Sequence, residues 1–417
     1  MHIFQNVKEN ISHDETKYIK RRVANILKEA LNRFSVAVLT GARQVGKSTL
    51  LLNEFKEFAY FTMDDFDVVE TLKADPLFIF SKYDKAIVDE AQKFPEVLNS
   101  VKLIVDRYKN KKIILSGSSN LLLMKSVTES LAGRAFYCEL LPMSYGEFKG
   151  KTTINNFLNL WKKILPKNVP QEKIDIKELL LKGFMPANLL SKKDHVLWFD
   201  SYVKTYLERD LRELSQIDSL IDFRKLMQAL ALRVGNILKQ SEISRDLSIS
   251  SPTTSRYIKL LEVSNIVERV YGFYRNKGKR LLKSPKIYFT DPGLAVFLSG
   301  YFDKDSLAAS KEFGSFFENI VFFHLKSLCN LITPPANIYY FRDLTGKEVD
   351  FILEYGRKLL AIEVKATKDV SIKEAKNLIY FMDLYPETIL GLILYQGDEI
   401  KQITSNIAAV PWWLIDF

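Results

Sequence analysis

Residues 41–48 read Gly-Ala-Arg-Gln-Val-Gly-Lys-Ser, the spacing G-x-x-x-x-G-K-[ST]. This octapeptide constrains the fold more than any other feature. It needs a strand before it, a tight glycine turn, and a helix N-terminus directly after it. The flanks supply both: residues 36–40 are an apolar strand, and an apolar helix pattern begins near Lys47. Gly41 and Gly46 let the backbone curl so that the N–H groups of Ala42, Arg43, Gln44, Val45, Gly46, Lys47, Ser48 and Thr49 line a phosphate cradle. The helix N-terminus adds partial positive charge. Lys47 then reaches the β/γ-phosphates of ATP, and the Ser48 hydroxyl is offered to Mg²⁺.

Three more strand-like runs, at 58–62, 85–88 and 112–116, alternate with helical stretches such as 96–109. That alternation predicts an α/β fold with a parallel sheet whose ligands sit at the strand ends. The run Ala86-Ile87-Val88-Asp89-Glu90 ends an apolar strand in two acids. Asp89 is expected to hold Mg²⁺, and Glu90 to orient and polarise the attacking water. The Glu favours hydrolysis over phosphoryl transfer to a second substrate. The last of these strands runs into Gly117-Ser118-Ser119-Asn120, where Asn120 or Ser118 is a candidate γ-phosphate sensor or a helix cap. Arg134, after Gly133, reads either as an arginine finger acting in a neighbouring subunit or as a surface residue.

Several runs of this half resemble archaeal and bacterial AAA-type ATPases. They are Thr40 through Leu50, Val88-Asp89-Glu90-Ala91-Gln92-Lys93-Phe94-Pro95, Ser116-Gly117-Ser118-Ser119, Leu131-Ala132-Gly133-Arg134, and Leu141 through Phe148. The pattern continues to Tyr206-Leu207-Glu208-Arg209-Asp210, so it covers most of the chain. Within that group the resemblance is to ATPases with a C-terminal domain of poorly defined function. It implies a P-loop AAA-type core over 1–150, a helical lid over 151–235, a winged helix-turn-helix over 236–304, and a restriction-endonuclease-like α/β domain over 305–417. By the same resemblance Arg209 is a lid-borne sensor or, alternatively, a partner in a helix-surface salt bridge.

The chain has 417 residues, 47% hydrophobic and 26% charged, which suits several soluble domains. Two distant cysteines and four scattered histidines exclude a disulfide framework and a cysteine–histidine metal site. The first ten residues lack the apolar core of a signal peptide, and no apolar run reaches the ~18 residues of a membrane span. A cytoplasmic location without membrane contact is therefore expected. The net charge of +10 favours an acidic partner, with DNA the leading candidate.

Residues 240–247, a Ser-Ile-Ser turn and residues 251–261 have the size of a helix-turn-helix. Ser251 is the expected N-cap and Pro252 the first helical residue. Thr253, Thr254, Arg256 and Tyr257 are expected on the DNA-facing side, with Ile258 and Leu261 inward. Two strands follow, at 266–274 and 286–289. Between them Arg275, Lys277, Lys279 and Arg280 make a wing with four positive charges and no acid, suited to phosphate contact or to protein contact.

Near the C-terminus, strands at 348–354 and 358–365 form a hairpin around Tyr355-Gly356. Glu363 and Lys365 share one face of an apolar strand, where charge is costly unless paired or functional. Asp350 lies on the opposing strand and Glu318 on the preceding helix. Glu318, Asp350, Glu363 and Lys365 resemble, in order, the motif of PD-(D/E)xK nucleases, with Val349 where that motif carries a proline. The resemblance implies Mg²⁺ on Asp350 and Glu363 and attack on a phosphodiester; the alternative is a structural ion pair. Two functions follow: an ATP-driven, DNA-processing homo-oligomer, or a non-cutting nucleotide-controlled switch.

Overall fold

The computed structural model describes residues 18–117, 131–192, 194–205, 217–276, 278, 280 and 284–417. They fall into two compact units, Met1–Leu141 and Pro142–Phe417. Asn120, Ser118, Arg209, Lys277 and Lys279 lie outside the described residues.

The first unit is built on a five-stranded parallel sheet: β1 (Val36–Thr40), β2 (Ala59–Thr62), β3 (Lys85–Asp89), β4 (Lys112–Ser116) and β5 (Ala135–Glu139). The order across the sheet is β2-β3-β4-β1-β5. Every pairing is parallel, as an alternating strand–helix sequence requires. β1, β3 and β4 are near-continuous apolar runs because both faces are covered. The helix Val97–Arg107 turns Val97, Val101, Ile104 and Val105 onto one stripe against the sheet. The sequence reading stopped at four strands. β5, Ala-Phe-Tyr-Cys-Glu, is an additional edge strand, half-exposed along its whole length.

The second unit begins with helices, among them Ile176–Lys182, His195–Tyr202 and Leu220–Ala231. Helices Gln240–Leu247 and Ser251–Val263 follow, joined through Ser248 in the left-handed region. Ser250, not Ser251, caps the second: its hydroxyl accepts from the Thr253 N–H at 3.2 Å. Then come β6 (Val267–Gly272) and β7 (Lys286–Phe289), an antiparallel pair. After the helix Phe313–Asn330 come β8 (Asn337–Arg342), β9 (Glu348–Tyr355), β10 (Lys358–Lys365), β11 (Thr388–Tyr395), β12 (Lys401–Thr404) and β13 (Ile407–Pro411).

Between the stretches 236–304 and 305–417, β6 pairs in parallel with β8, Tyr271 opposite Tyr339 and Gly272 opposite Tyr340. One eight-stranded sheet results, ordered β12-β13-β11-β10-β9-β8-β6-β7. Phe273 accordingly packs in the same core as Phe341, Phe381 and Ile393.

This packing corrects part of the expected DNA face. Thr254 and Tyr257 are buried, Tyr257 edge-on to Phe223 and accepting the Ser219 N–H at 3.3 Å. With Ile258 and Leu261 they occupy positions i, i+3, i+4 and i+7 of one inward stripe. Arg256 stays exposed and pairs with Asp218; Thr253 is half-buried. Arg280 does not stand on a wing tip. It is buried between the rings of Phe273 and Tyr339, each 4.6 Å away, and grips Glu354 through two bonds of 2.7 and 3.1 Å. Arg275 is exposed and reaches Glu387 at 3.3 Å.

Candidate functional site

In the first unit β1 delivers the chain into the phosphate cradle. Gly41 has φ +150, and a Cβ there would lie 2.3 Å from the Leu140 carbonyl oxygen, so only glycine fits. Gly46 (φ +93) turns the chain into the helix Lys47–Glu54. Lys47 is buried, and its Nζ donates to the carbonyls of Gly41 and Ala42, each at 3.0 Å. Burial pulls its pKa down, opposed by the negative field of Glu90 and Asp89.

β3 brings those two acids to the same end of the sheet. Asp89 is buried; its Oδ1 accepts the Glu90 N–H at 3.0 Å and its Oδ2 accepts the Tyr60 hydroxyl at 2.5 Å. Glu90 sits in the left-handed region at φ 52, uncommon for a non-glycine residue, and its carboxylate accepts from Gln92. Burial, followed by the charge of Asp89, keeps the Tyr60 hydroxyl protonated, with Ser48 acting on it as well. Ser48, Asp89 and Tyr60 thus converge beside Lys47. A hydroxyl and a carboxylate at one strand end suit a Mg²⁺ accompanying a nucleotide, and Ser48 and Asp89 are the residues that would hold it.

Two residues of this site carry no motif. Arg21, buried ahead of the helix Val23–Arg33, donates to the Val45 carbonyl at 2.9 Å and the Leu141 carbonyl at 2.7 Å, fixing the crown of the loop to the end of the sheet. Tyr60 is found by register: in parallel pairing, β2 ends beside β3, with Thr62 opposite Asp89. Arg134 is brought to none of these groups. Its guanidinium holds Asp106 of its own chain through two bonds of 2.6 and 3.1 Å and donates to the Ala132 carbonyl at 3.1 Å.

The second unit gathers Glu318, Asp350, Glu363 and Lys365, as the sequence suggested. β9 and β10 pair antiparallel around Gly356, which takes φ +63. Asp350 Oδ2 accepts the Val364 N–H at 2.7 Å, and Glu363 Oε1 accepts from Lys365 Nζ at 2.7 Å. The other oxygen of Glu363 is buried with no hydrogen-bond partner. Glu318 Oε1 accepts from Tyr288 at 2.5 Å and from Lys286 at 3.2 Å. Lys286, buried on β7, also reaches Glu348 at 2.6 Å. Nothing in the sequence singled out Lys286, because the β6–β8 pairing that carries β7 to the acids joins segments far apart in the chain.

Burial, then the neighbouring Asp350 charge, pushes Glu318 up to about 7 and Glu363 up to about 8; burial also raises Asp350. A divalent ion fits this donor set poorly. One oxygen of Glu318 is engaged by a lysine and a tyrosine, one of Asp350 by a backbone N–H, and one of Glu363 by Lys365. Among the described residues no group of three or more His, Cys, Asp or Glu is placed to hold a metal.

The raised pKa has a measurable consequence. A carboxyl whose folded pKa exceeds its unfolded value contributes stability that is present below the unfolded pKa, near 4.5, and lost as pH rises through about 8. In Glu363→Gln that titration is gone while an oxygen still faces Lys365. Thermal melts between about pH 5 and pH 9 are expected to fall less steeply for the variant than for the native chain. Parallel curves would mean that Glu363 titrates normally.

A model described as an AAA domain matches residues 33–149. Two domains of unknown function, DUF8612 and DUF4143, match residues 173–305 and 313–415. An uncharacterized protein of Mycobacterium tuberculosis is 30% identical over 397 residues, 94% of this chain and 83% of the relative. An uncharacterized protein of Haemophilus influenzae is 23% identical over 419 residues, 91% of this chain and 94% of the relative. Among solved structures, the Walker-type ATPase of Pyrococcus abyssi aligns at 18% identity and TM-score 0.46, over 68% of this chain and 99% of that one. Among the described residues no helix is long and apolar enough to cross a membrane.

Proposed function

The chain belongs to the family of its mycobacterial relative and carries an AAA domain; from that premise we propose that it is an ATP hydrolase whose nucleotide state controls engagement of DNA. The observation that carries the hydrolase reading is the convergence of the buried Lys47 with Ser48, Asp89 and Glu90 at the ends of β1 and β3. In this reading the loop N–H groups and Lys47 neutralise phosphate charge. Ser48 and Asp89 hold Mg²⁺, which screens the γ-phosphate when bound. Glu90 takes up the proton of the attacking water, with Gln92 fixing its carboxylate. Arg134 enters as a finger only in an assembly, and it must first leave Asp106.

DNA engagement is supported by the net charge of +10 and by the exposed Arg256, Lys259 and Arg275. Neutralising Arg275, Lys277 and Lys279 together is expected to weaken duplex binding and to reduce the log–log salt slope by about 0.9 per lost phosphate contact. Arg280→Ala is a contrasting control: it breaks a buried pair with Glu354 and is expected to cost about 3–5 kcal/mol of stability. A salt slope unchanged by the triple variant would mean that this segment meets protein instead.

The non-cutting form of this reading is favoured over a nuclease by the commitment of Glu318 to Lys286 and Tyr288. The second unit then responds to nucleotide state without cleaving what it binds.

A further inference from the structure

We infer that Lys286 is a built-in cation standing where a divalent ion would otherwise be needed, so that the acid cluster of the second unit is closed to metal. The inference rests on geometry. The half-buried Glu318 and Asp350 and the buried Glu363 come together from a helix and two strands, and such a set demands positive charge. Lys365 bonds one oxygen of Glu363 and acts electrostatically on Asp350 and Glu318. The second oxygen of Glu363 keeps no hydrogen-bond partner, while Lys286 answers Glu318. Its ammonium lies 3.2 Å from Glu318 and 2.6 Å from Glu348, and it acts electrostatically on Asp350 as well.

The residue is held in place from several sides. Lys286 lies on β7 opposite Val270 of β6, and it bridges to Ile237. Tyr288, two residues on, stands on the same face of the strand and donates to the very Glu318 oxygen that Lys286 contacts. Behind Glu318, Gly235 takes φ +74, where a Cβ would meet the carboxylate at 3.5 Å. The carboxylate is therefore fixed between an ammonium, a phenol and a backbone turn. An ion bound by Glu318 there would have to compete with the buried ammonium of Lys286. The positive charge belongs to the fold, supplied by a strand outside the hairpin that carries Asp350 and Glu363.

The test is a Mn²⁺ titration of the full-length, nucleotide-free protein, read by electron paramagnetic resonance of free Mn²⁺. The native chain and Lys286→Arg, which keeps the charge, are expected to show no Mn²⁺ binding that depends on Glu318. Lys286→Met, which keeps the length and removes the charge, is expected to gain one Mn²⁺ site, and adding Glu318→Gln is expected to abolish it. Circular dichroism melts establish that each variant is folded. Mn²⁺ bound by the native chain and lost in Glu318→Gln would overturn the inference. So would a folded Lys286→Met that gains no site. If Lys286→Met does not fold, the comparison of native chain with Glu318→Gln still decides: Glu318-dependent binding refutes the closed cluster, and its absence upholds it.

Discussion

Replacing Glu90 by Gln is expected to slow ATP turnover by about 10²–10⁴-fold while leaving ATP binding near the native level, the scale of losing a positioned general base. Glu90 follows β3 directly, in a left-handed backbone conformation, and accepts from Gln92. Gln at this position keeps the side-chain length and one carbonyl oxygen, so the shape of the site survives. What disappears is the capacity to take a proton from water. Lys47 and the loop N–H groups, which carry binding, are untouched. The variant should therefore accumulate bound ATP, seen as nucleotide retained through gel filtration. Native turnover in Glu90→Gln would show that another group activates water.

Lys47→Ala is expected to fail one step earlier. Its ammonium is held inside the loop by the carbonyls of Gly41 and Ala42. Without it the phosphates lose the ammonium that offsets Asp89 and Glu90. Nucleotide binding should be lost, and any residual turnover should fall by at least about 10²–10³-fold, as when a charge-stabilising donor is removed elsewhere. The fold should not suffer. Burial already disfavours the charged form of Lys47, so its removal relieves a desolvation cost, and the melting temperature should stay level or rise. An inactive variant that also melts early would point instead to a structural role.

What could be read from the residues, and what could not, follows from whether an interaction is local. The phosphate loop was legible because strand, glycines and helix are consecutive, and because β1, β3 and β4 are buried on both faces and so read as continuous apolar runs. The β9–β10 hairpin was legible for the same reason: Gly356 marks the turn, and a period of two then carries Glu363 to Asp350. Thr254 and Tyr257 were misjudged because their hydroxyls make them look polar. Helical spacing from Ile258 and Leu261, not polarity, decides that they face inward. Arg280 was misjudged for the complementary reason. A cation in a basic run looks exposed until Glu354 and two aromatic rings, all from other segments, enclose it. Tyr60, Arg21 and Lys286 depend on pairings between distant segments, and no local pattern announces them.

These non-local residues also divide the molecule's chemistry. In the first unit, Tyr60 and Arg21 hold acid and loop where phosphate chemistry needs them. In the second, Lys286 and Tyr288 hold Glu318 against a role in metal binding.

The central claim is that the first unit hydrolyses ATP through Lys47 and Glu90. The most direct test is to measure Mg²⁺-dependent phosphate release and equilibrium ATP binding side by side on the native chain, Lys47→Ala and Glu90→Gln. The account predicts binding with release for the native chain, neither for Lys47→Ala, and binding without release for Glu90→Gln. Phosphate release by Lys47→Ala at the native rate would contradict it.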